Sequence, residues 1–131
     1  MAGLINPNAE RYAAEFSSKE DELLAAIAAY TTLNHPHAQM LSGHVQGQFL
    51  SMISCLLQPS RILEIGTFTG YSGLCLAKGL QANGYLHTIE LREEDASTAQ
   101  NYFSKSLYNK KIILHRGNAL DIIPGLAETW D

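Results

Sequence analysis

Two closely spaced glycines follow a short apolar segment and mark the part of the chain best suited to bind a ligand. The segment reads Ile62-Leu-Glu-Ile-Gly-Thr-Phe-Thr-Gly-Tyr-Ser72. Arg61 to Ile65 is short and β-rich, which predicts a strand. Gly66 and Gly70 permit a sharp turn, and helical spacing follows from Tyr71 to Leu80. A strand, a glycine turn and a helix form half of a nucleotide-binding or nucleoside-binding site.

The residues of the turn argue against a dinucleotide ligand. A dinucleotide fingerprint, G-x-G-x-x-G, needs its second glycine so that the backbone can approach a pyrophosphate. Phe68 occupies that position here, and its ring would obstruct a pyrophosphate. Glu64 would repel phosphates but tolerate a nearby ammonium or sulfonium group. A phosphate-free nucleoside such as S-adenosylmethionine therefore fits better.

Two further predicted strands supply the rest of the site. Tyr85 to Glu90 reads as a strand that ends in a carboxylate, at the place where Rossmann-like sheets bind the ribose hydroxyls. Lys111 to His115 predicts a third strand, which leads into the small polar turn Arg116 to Ala119. Ligands bind at the carboxyl ends of parallel strands. We therefore expect Glu90 to anchor a ribose and the turn to border an adenine.

Four short motifs occur in the order found in one known family. They are Gly47-Gln-Phe-Leu50, Leu63-Glu-Ile-Gly-Thr-Phe-Thr-Gly-Tyr-Ser72, His87-Thr-Ile-Glu90 and Gly117-Asn-Ala119. With these motifs, the segment from about His35 to Trp130 resembles the cation-dependent O-methyltransferases, which include catechol and caffeoyl-CoA O-methyltransferases. The resemblance implies an α/β protein with the Rossmann-like class I methyltransferase fold. Residues 1–58 would form an N-terminal helical segment, and residues 59–131 the first half of the S-adenosylmethionine-binding domain with three parallel strands.

The resemblance also implies roles for individual residues in cofactor binding. Ser72 would bind the methionine carboxylate, Glu64 would lie near the amino group, and Glu90 would bind the ribose. Asn118 stands where many relatives have aspartate, and its amide can still bond the adenine amino group. The complete set of implied cofactor-binding residues is Met40, Ser42, Glu64, Gly66, Thr67, Phe68, Ser72, Glu90, Leu91, Asn118 and Ala119.

A divalent, magnesium-like cation is implied as well, but the family's ligands for it lie beyond this sequence. The fourth strand would begin near Trp130 and Asp131, and its end would carry the first metal-binding aspartate and the catalytic lysine. The cation lowers the pKa of the acceptor hydroxyl while a neighbouring base takes its proton. We therefore expect a fragment with no catalytic or metal-binding residue of its own and little activity alone.

Composition restricts the partners of the chain. Its 131 residues are 46% hydrophobic and 17% charged, which is ordinary for one globular domain. No apolar run approaches the roughly 18 residues of a membrane helix, and the first residues lack the blocks of a signal peptide. A net charge of -4 argues against electrostatic binding to nucleic acid. We expect a cytoplasmic protein whose partner is a small-molecule methyl acceptor, with no membrane partner.

Three functions remain open from the sequence. The first is an S-adenosylmethionine-dependent O-methyltransferase that acts on a small catechol-like or hydroxycinnamoyl-like acceptor. The alternative is a non-catalytic S-adenosylmethionine-binding or assembly module. Half of a dinucleotide-dependent oxidoreductase is the third, which Phe68 and the absent third glycine disfavour.

Apolar spacing also predicts the helices around the site. Ser17 to Glu20 has capping-box spacing and predicts the start of an amphipathic helix. Val45 to Leu57 predicts a second helix, and Glu93 to Leu107 predicts a third with an acidic N-terminus. Two cysteines within apolar patterns, Cys55 and Cys75, are expected to be buried thiols.

The histidines are not expected to form a metal site, and His37 is expected to border the substrate entrance. His35, His37 and His44 are close in sequence but lack a fourth ligand for structural zinc. His87 and His115, within and at the end of predicted strands, are better explained by packing or a local hydrogen bond.

The first strand is expected to mediate self-association. In the usual order 3-2-1-4-5 it lies next to the fourth strand, so without that strand Ile62 to Ile65 forms an apolar edge. We therefore expect a homodimer in which two chains pair their first strands.

Overall fold

The computed structural model describes residues 3–131, and the elements below lie within that range. The helices are α1 (Pro7–Glu15), α2 (Glu22–Asn34), α3 (Gly43–Leu57), α4 (Tyr71–Ala77), α5 (Glu93–Ser104) and α6 (Ala119–Ile122). The strands are β1 (Arg61–Ile65), β2 (Tyr85–Glu90) and β3 (Ile112–Arg116), and short 3-10 turns occupy Ala38–Met40 and Ile123–Gly125. None of the helices in the described range is both long and apolar enough to cross a bilayer.

The three strands form one parallel sheet in the order β1-β2-β3. This order confirms the predicted α/β arrangement, and β1 and β2 have the predicted bounds. Strand β3 runs from Ile112 to Arg116, one residue later than predicted at each end. The carboxyl ends of all three strands therefore meet at one edge, where the predicted site residues lie.

A single apolar core lies between the sheet and the helices. Leu24 and Ile27 of α2 are buried together with Leu74 of α4, Leu86 of β2 and Phe103 of α5. The N-terminal helix α2 is thus packed into the same core as the glycine turn. Burial of these five apolar side chains contributes about 1.5–3 kcal/mol each to folding.

Helix α3 packs through small residues. Its buried positions are Gly47, Ser51 and Ser54. A Cβ atom on Gly47 would lie 2.7 Å from the Tyr71 ring and 2.9 Å from the sulfur of Cys75, so α3 and α4 approach each other closely. The opposite face of α3 carries exposed apolar side chains, including Val45, Phe49, Met52 and Leu56.

Four predicted helix boundaries are wrong. Helix α3 begins at Gly43, two residues earlier than predicted. Helix α2 begins after Asp21, whose carboxylate accepts a 2.9 Å hydrogen bond from the Leu24 N–H, and the predicted capping box at Ser17 is not formed. Glu20, its other member, instead accepts a hydrogen bond from the Tyr71 hydroxyl. Helix α4 ends at Ala77 and α5 at Ser104, each three residues earlier than predicted, because turns follow both ends.

The two cysteines differ in environment. Cys75 is buried as predicted, and its burial raises the pKa of its thiol to about 11. Cys55 is exposed, so its predicted burial is wrong. Its apolar neighbours in the sequence, Met52 and Leu56, belong to the exposed face of α3.

Candidate cofactor site

A cavity of about 330 Å³ lies at the carboxyl ends of β1 and β2. Its size is at the lower end of the range of small-molecule sites, about 300–1,000 Å³. Seven predicted cofactor-binding residues line it: Met40, Ser42, Gly66, Thr67, Phe68, Ser72 and Glu90. Leu41, within the segment Met40 to Ser42 that the family resemblance implies in cofactor binding, also lines it. Four further lining residues were not predicted: Ile65, Tyr71, Arg92 and Asp95.

The turn after β1 has the left-handed backbone that its glycines predict. Gly66 has φ +93° and Gly70 has φ +95°. Gly70 is also close to α5, because a Cβ atom there would lie 2.9 Å from the Phe103 ring. Phe68 has φ +52°, a conformation that costs about 1–3 kcal/mol for a non-glycine residue. Its N–H donates a 2.8 Å hydrogen bond to Glu90, and this contact helps to hold the turn in place.

Glu90 is held by the backbone on both of its carboxylate oxygens. Oε2 accepts the hydrogen bond from the Phe68 N–H, and Oε1 accepts one of 2.9 Å from the Arg92 N–H. The side chain lines the cavity although the residue is only 8% exposed. Each carboxylate oxygen can accept a further hydrogen bond. The group is therefore fixed in position and still able to accept two ligand hydroxyls.

Glu64 is buried next to the cavity and does not line it. Its Oε1 accepts a 2.7 Å hydrogen bond from the Thr88 hydroxyl, and its Oε2 accepts one of 2.7 Å from Ser72. Ser72 does line the cavity, so it connects the buried carboxylate with the ligand space. Burial raises the pKa of Glu64; the two hydrogen bonds oppose this, and the charge of Glu90 adds to it.

The raised pKa of Glu64 predicts a pH-dependent stability. The folded state holds this proton more tightly than the unfolded chain, so the free energy of unfolding falls as pH rises from the ordinary value of 4.5 through the folded-state pKa. Glu64→Gln has no such proton, so we expect the stability of this variant relative to the wild type to increase with pH across that interval. Urea unfolding of both proteins at several pH values measures the difference. A difference in stability between the two proteins that stays constant with pH would contradict the raised pKa of Glu64.

Besides Glu64, three predicted cofactor residues lie outside the cavity. Leu91 directly follows the ribose candidate Glu90 and is exposed. Asn118 caps α6, because its Oδ1 accepts a 3.0 Å hydrogen bond from the Leu120 N–H, and Ala119 is the first residue of that helix. The preceding Gly117 donates its N–H to the Glu90 carbonyl, which keeps this turn near the end of β2. Their roles at the adenine remain predictions.

Asp95 is the most informative residue that the sequence analysis missed. The helix dipole accounts for an acidic run at the start of α5, and its first two members, Glu93 and Glu94, are exposed. Asp95 is only 5% exposed and lines the cavity. Its Oδ1 lies 2.9 Å from His35 Nε2 and its Oδ2 lies 3.4 Å from Arg92 Nε. The contact between His35 and Asp95 joins residues 60 positions apart in the sequence, so it forms only in the folded chain.

None of the histidines in the described range lines this cavity. His87 Nδ1 and His115 Nε2 are 2.9 Å apart, which confirms the predicted local hydrogen bond, and burial beside His115 lowers the pKa of His87. Among residues 3–131, no three side chains of His, Cys, Asp or Glu converge as metal ligands.

Comparison with known proteins identifies the family. Residues 14–130 match the sequence model of a family described as O-methyltransferase. The chain belongs to this O-methyltransferase family. It is 32% identical over 129 residues to a catechol O-methyltransferase of Niastella koreensis, and 32% identical over 97 residues to caffeoyl-CoA O-methyltransferase 2 of Petunia hybrida. These matches cover 98% and 74% of this chain but only 58% and 40% of the relatives, so the chain spans about half the length of these family members.

Solved structures identify the fold. The O-methyltransferase TomG of Streptomyces achromogenes, described in complex with SAM, superposes with a TM-score of 0.82 at 35% identity over 92% of this chain and 54% of its own. A SAH-bound methyltransferase of Podospora anserina superposes with a TM-score of 0.86 at 26% identity, over 98% and 58% of the two chains. This O-methyltransferase family member therefore has the first three strands of the Rossmann-like class I methyltransferase fold, as predicted.

Proposed function

We propose that the protein is an S-adenosylmethionine-dependent O-methyltransferase and that the cavity at β1 and β2 binds the methyl donor. One observation carries the proposal: Glu90 is fixed by two backbone N–H groups and lines the cavity beside the glycine turn. A carboxylate in this position matches the ribose-binding carboxylate of Rossmann-like sheets. When bound, the donor supplies a methyl group on a positively charged sulfur.

The charges around the cavity favour a cationic ligand. Glu90 and Asp95 both line it beside one cationic side chain, Arg92, and Glu64 lies directly behind Ser72. Carboxylates attract an ammonium or sulfonium group and repel a pyrophosphate. The turn itself is also unsuited to phosphate, because the Phe68 N–H already donates to Glu90. These features support S-adenosylmethionine over a dinucleotide.

The methyl acceptor is proposed to be a small hydroxylated aromatic compound, catechol-like or hydroxycinnamoyl-like. The names of the relatives from Niastella koreensis and Petunia hybrida support this class. In-line transfer needs a deprotonated acceptor oxygen, for which a divalent cation and a base are the usual means. The described residues contain no ligand set for such a cation, so we assign no step through it to this chain.

A cytoplasmic homodimer paired through β1 is part of the same proposal. The sheet order β1-β2-β3 leaves β1 at one edge of the sheet among the described residues, which supports pairing there. At the other end of β1, the N–H of Asp131 donates to the Arg61 carbonyl, so pairing between two copies would begin beyond Arg61.

Calorimetry with two ligands tests the proposed function. We expect S-adenosylhomocysteine to bind the purified protein and NAD to show no binding under the same conditions. Transfer of a labelled methyl group from S-adenosylmethionine to a catechol, with magnesium present, then tests the reaction. Because the described residues contain no ligand set for the cation, transfer is expected only from a protein that also carries those ligands, and binding without transfer by that protein would favour the non-catalytic alternative. NAD binding in place of S-adenosylhomocysteine would refute the proposed cofactor.

A further inference from the structure

The segment from His35 to Ser42 forms one wall of the cofactor cavity and has no regular secondary structure beyond one short turn. Met40, Leu41 and Ser42 line the cavity, and only the 3-10 turn Ala38–Met40 interrupts the loop. Such a segment needs side-chain contacts to hold a defined position. The first residue of the segment, His35, supplies them.

His35 is bonded through both ring nitrogens. Its Nε2 lies 2.9 Å from Asp95 Oδ1 on α5, and its Nδ1 accepts a 3.0 Å hydrogen bond from the backbone N–H of His37. Because Nδ1 is an acceptor, the proton of the neutral ring is on Nε2 and is donated to Asp95. The side chains of His35 and Asp95 are 9% and 6% exposed. The bond to Asp95 is therefore largely shielded from solvent and directional.

The same ring also contacts the glycine turn. The centroids of His35 and Phe68 are 4.5 Å apart with an interplanar angle of 75°, an edge-to-face arrangement. Phe68 is the residue with φ +52°, and its N–H donates to Glu90. His35 thus joins three parts of the cavity wall: the segment 37–42, the turn after β1 and the start of α5.

We propose that His35 is a positioning residue that, through its bond to Asp95 and its contact with Phe68, holds the segment 37–42 and the glycine turn in the arrangement that binds the methyl donor. This inference rests on the proposed function for the identity of the ligand. A merely structural pair would stabilise the whole fold equally. A positioning residue instead affects the order of one segment and the affinity for one ligand.

Two substitutions separate the contacts of His35. His35→Phe keeps an aromatic ring against Phe68 and removes both ring nitrogens, so Asp95 loses its donor. Asp95→Asn keeps an oxygen that can accept the Nε2 proton, so it preserves the bond without the charge. Glu94→Gln is the matched control on α5, because Glu94 is exposed and its side chain makes no hydrogen bond or ion pair among the described residues.

The experiment combines amide hydrogen exchange of the free protein with S-adenosylhomocysteine titration. In His35→Phe we expect faster exchange in residues 37–42, unchanged exchange in β2, and an affinity about tenfold weaker, as for one lost hydrogen bond to a charged group. Asp95→Asn should lose less affinity than His35→Phe, and Glu94→Gln should match the wild type.

Several results would overturn the inference. Unchanged exchange in residues 37–42 would show that His35 does not position the segment, and unchanged affinity would show that the segment does not matter to the ligand. Faster exchange throughout β2 would mean that His35 stabilises the whole fold and does not position one segment. If His35→Phe does not fold, exchange and affinity are instead compared between Asp95→Asn and Glu94→Gln. Absence of binding by the wild type refutes the proposed function instead, while exchange in the free proteins still decides whether His35 orders the segment.

Discussion

Gly79→Ala is expected to lower the free energy of unfolding by about 3 kcal/mol, the upper part of the usual range for overpacking. A Cβ atom at Gly79 would lie 2.1 Å from both the carbonyl carbon and the carbonyl oxygen of Ser54, and 2.4 Å from its hydroxyl. These contacts are mainly with backbone atoms, so a side-chain rotation cannot relieve them. Helix α3 or the turn after α4 would have to move.

Hydrogen bonds between α3 and α4 oppose that movement. The Ser51 hydroxyl donates to the Cys75 carbonyl at 3.1 Å, and the Ser54 hydroxyl donates to the Leu76 carbonyl. Separating the helices would leave buried polar groups unpaired, which costs about 1–3 kcal/mol for each group.

Chemical denaturation followed by circular dichroism measures the effect of Gly79→Ala. Gly125→Ala is the control, because a Cβ atom there has nothing within 4 Å and the backbone needs no left-handed conformation. We expect the control to remain within about 0.5 kcal/mol of the wild type. Equal unfolding midpoints for the two variants would show that α3 and α4 are farther apart in solution.

The strands and the glycine turn were predictable because their signals are local. A short apolar run followed by Gly66 and Gly70 specifies a strand and a turn without knowledge of the rest of the fold. The carboxylate at the end of the next strand, Glu90, then followed from the geometry of parallel sheets. The structure places both at the same cavity.

The packing of α3 was not predictable from the same pattern. The apolar residues Val45, Phe49 and Leu56 recur at helical intervals, but periodicity does not say which face meets a neighbouring helix. The close approach to α4 requires a residue without a side chain at Gly47. The exposure of Cys55 follows from the same orientation of α3.

The pairing of His35 with Asp95 was missed because the two residues are far apart in the sequence. Locally, His35 can be explained as a loop residue, and Asp95 can be explained as one of three acids at a helix N-terminus. Tertiary contacts turn Asp95 inward and leave Glu93 and Glu94 in solvent. A pattern within one element cannot distinguish between these acids.

Glu90→Gln is expected to weaken S-adenosylhomocysteine binding by about 1.5–3 kcal/mol, the range for hydrogen bonds to charged groups. In the wild type, both carboxylate oxygens accept backbone N–H donors, from Phe68 at 2.8 Å and Arg92 at 2.9 Å. A glutamine side chain has one oxygen, so its NH2 group must face one of these donors. The substitution therefore removes a charged acceptor for the ribose and disturbs the support of the left-handed Phe68 backbone.

Calorimetric titration with S-adenosylhomocysteine measures the loss, which corresponds to an affinity roughly 10-fold to 150-fold weaker. Glu94→Gln again serves as the control, because it removes one carboxylate from an exposed position close to Glu90 in the sequence. An equal effect of both variants would mean that overall charge, and not a specific bond, attracts the ligand. Wild-type affinity in Glu90→Gln would mean that the ribose binds elsewhere, while weaker binding in Glu90→Gln alone would support the ribose site at the end of β2.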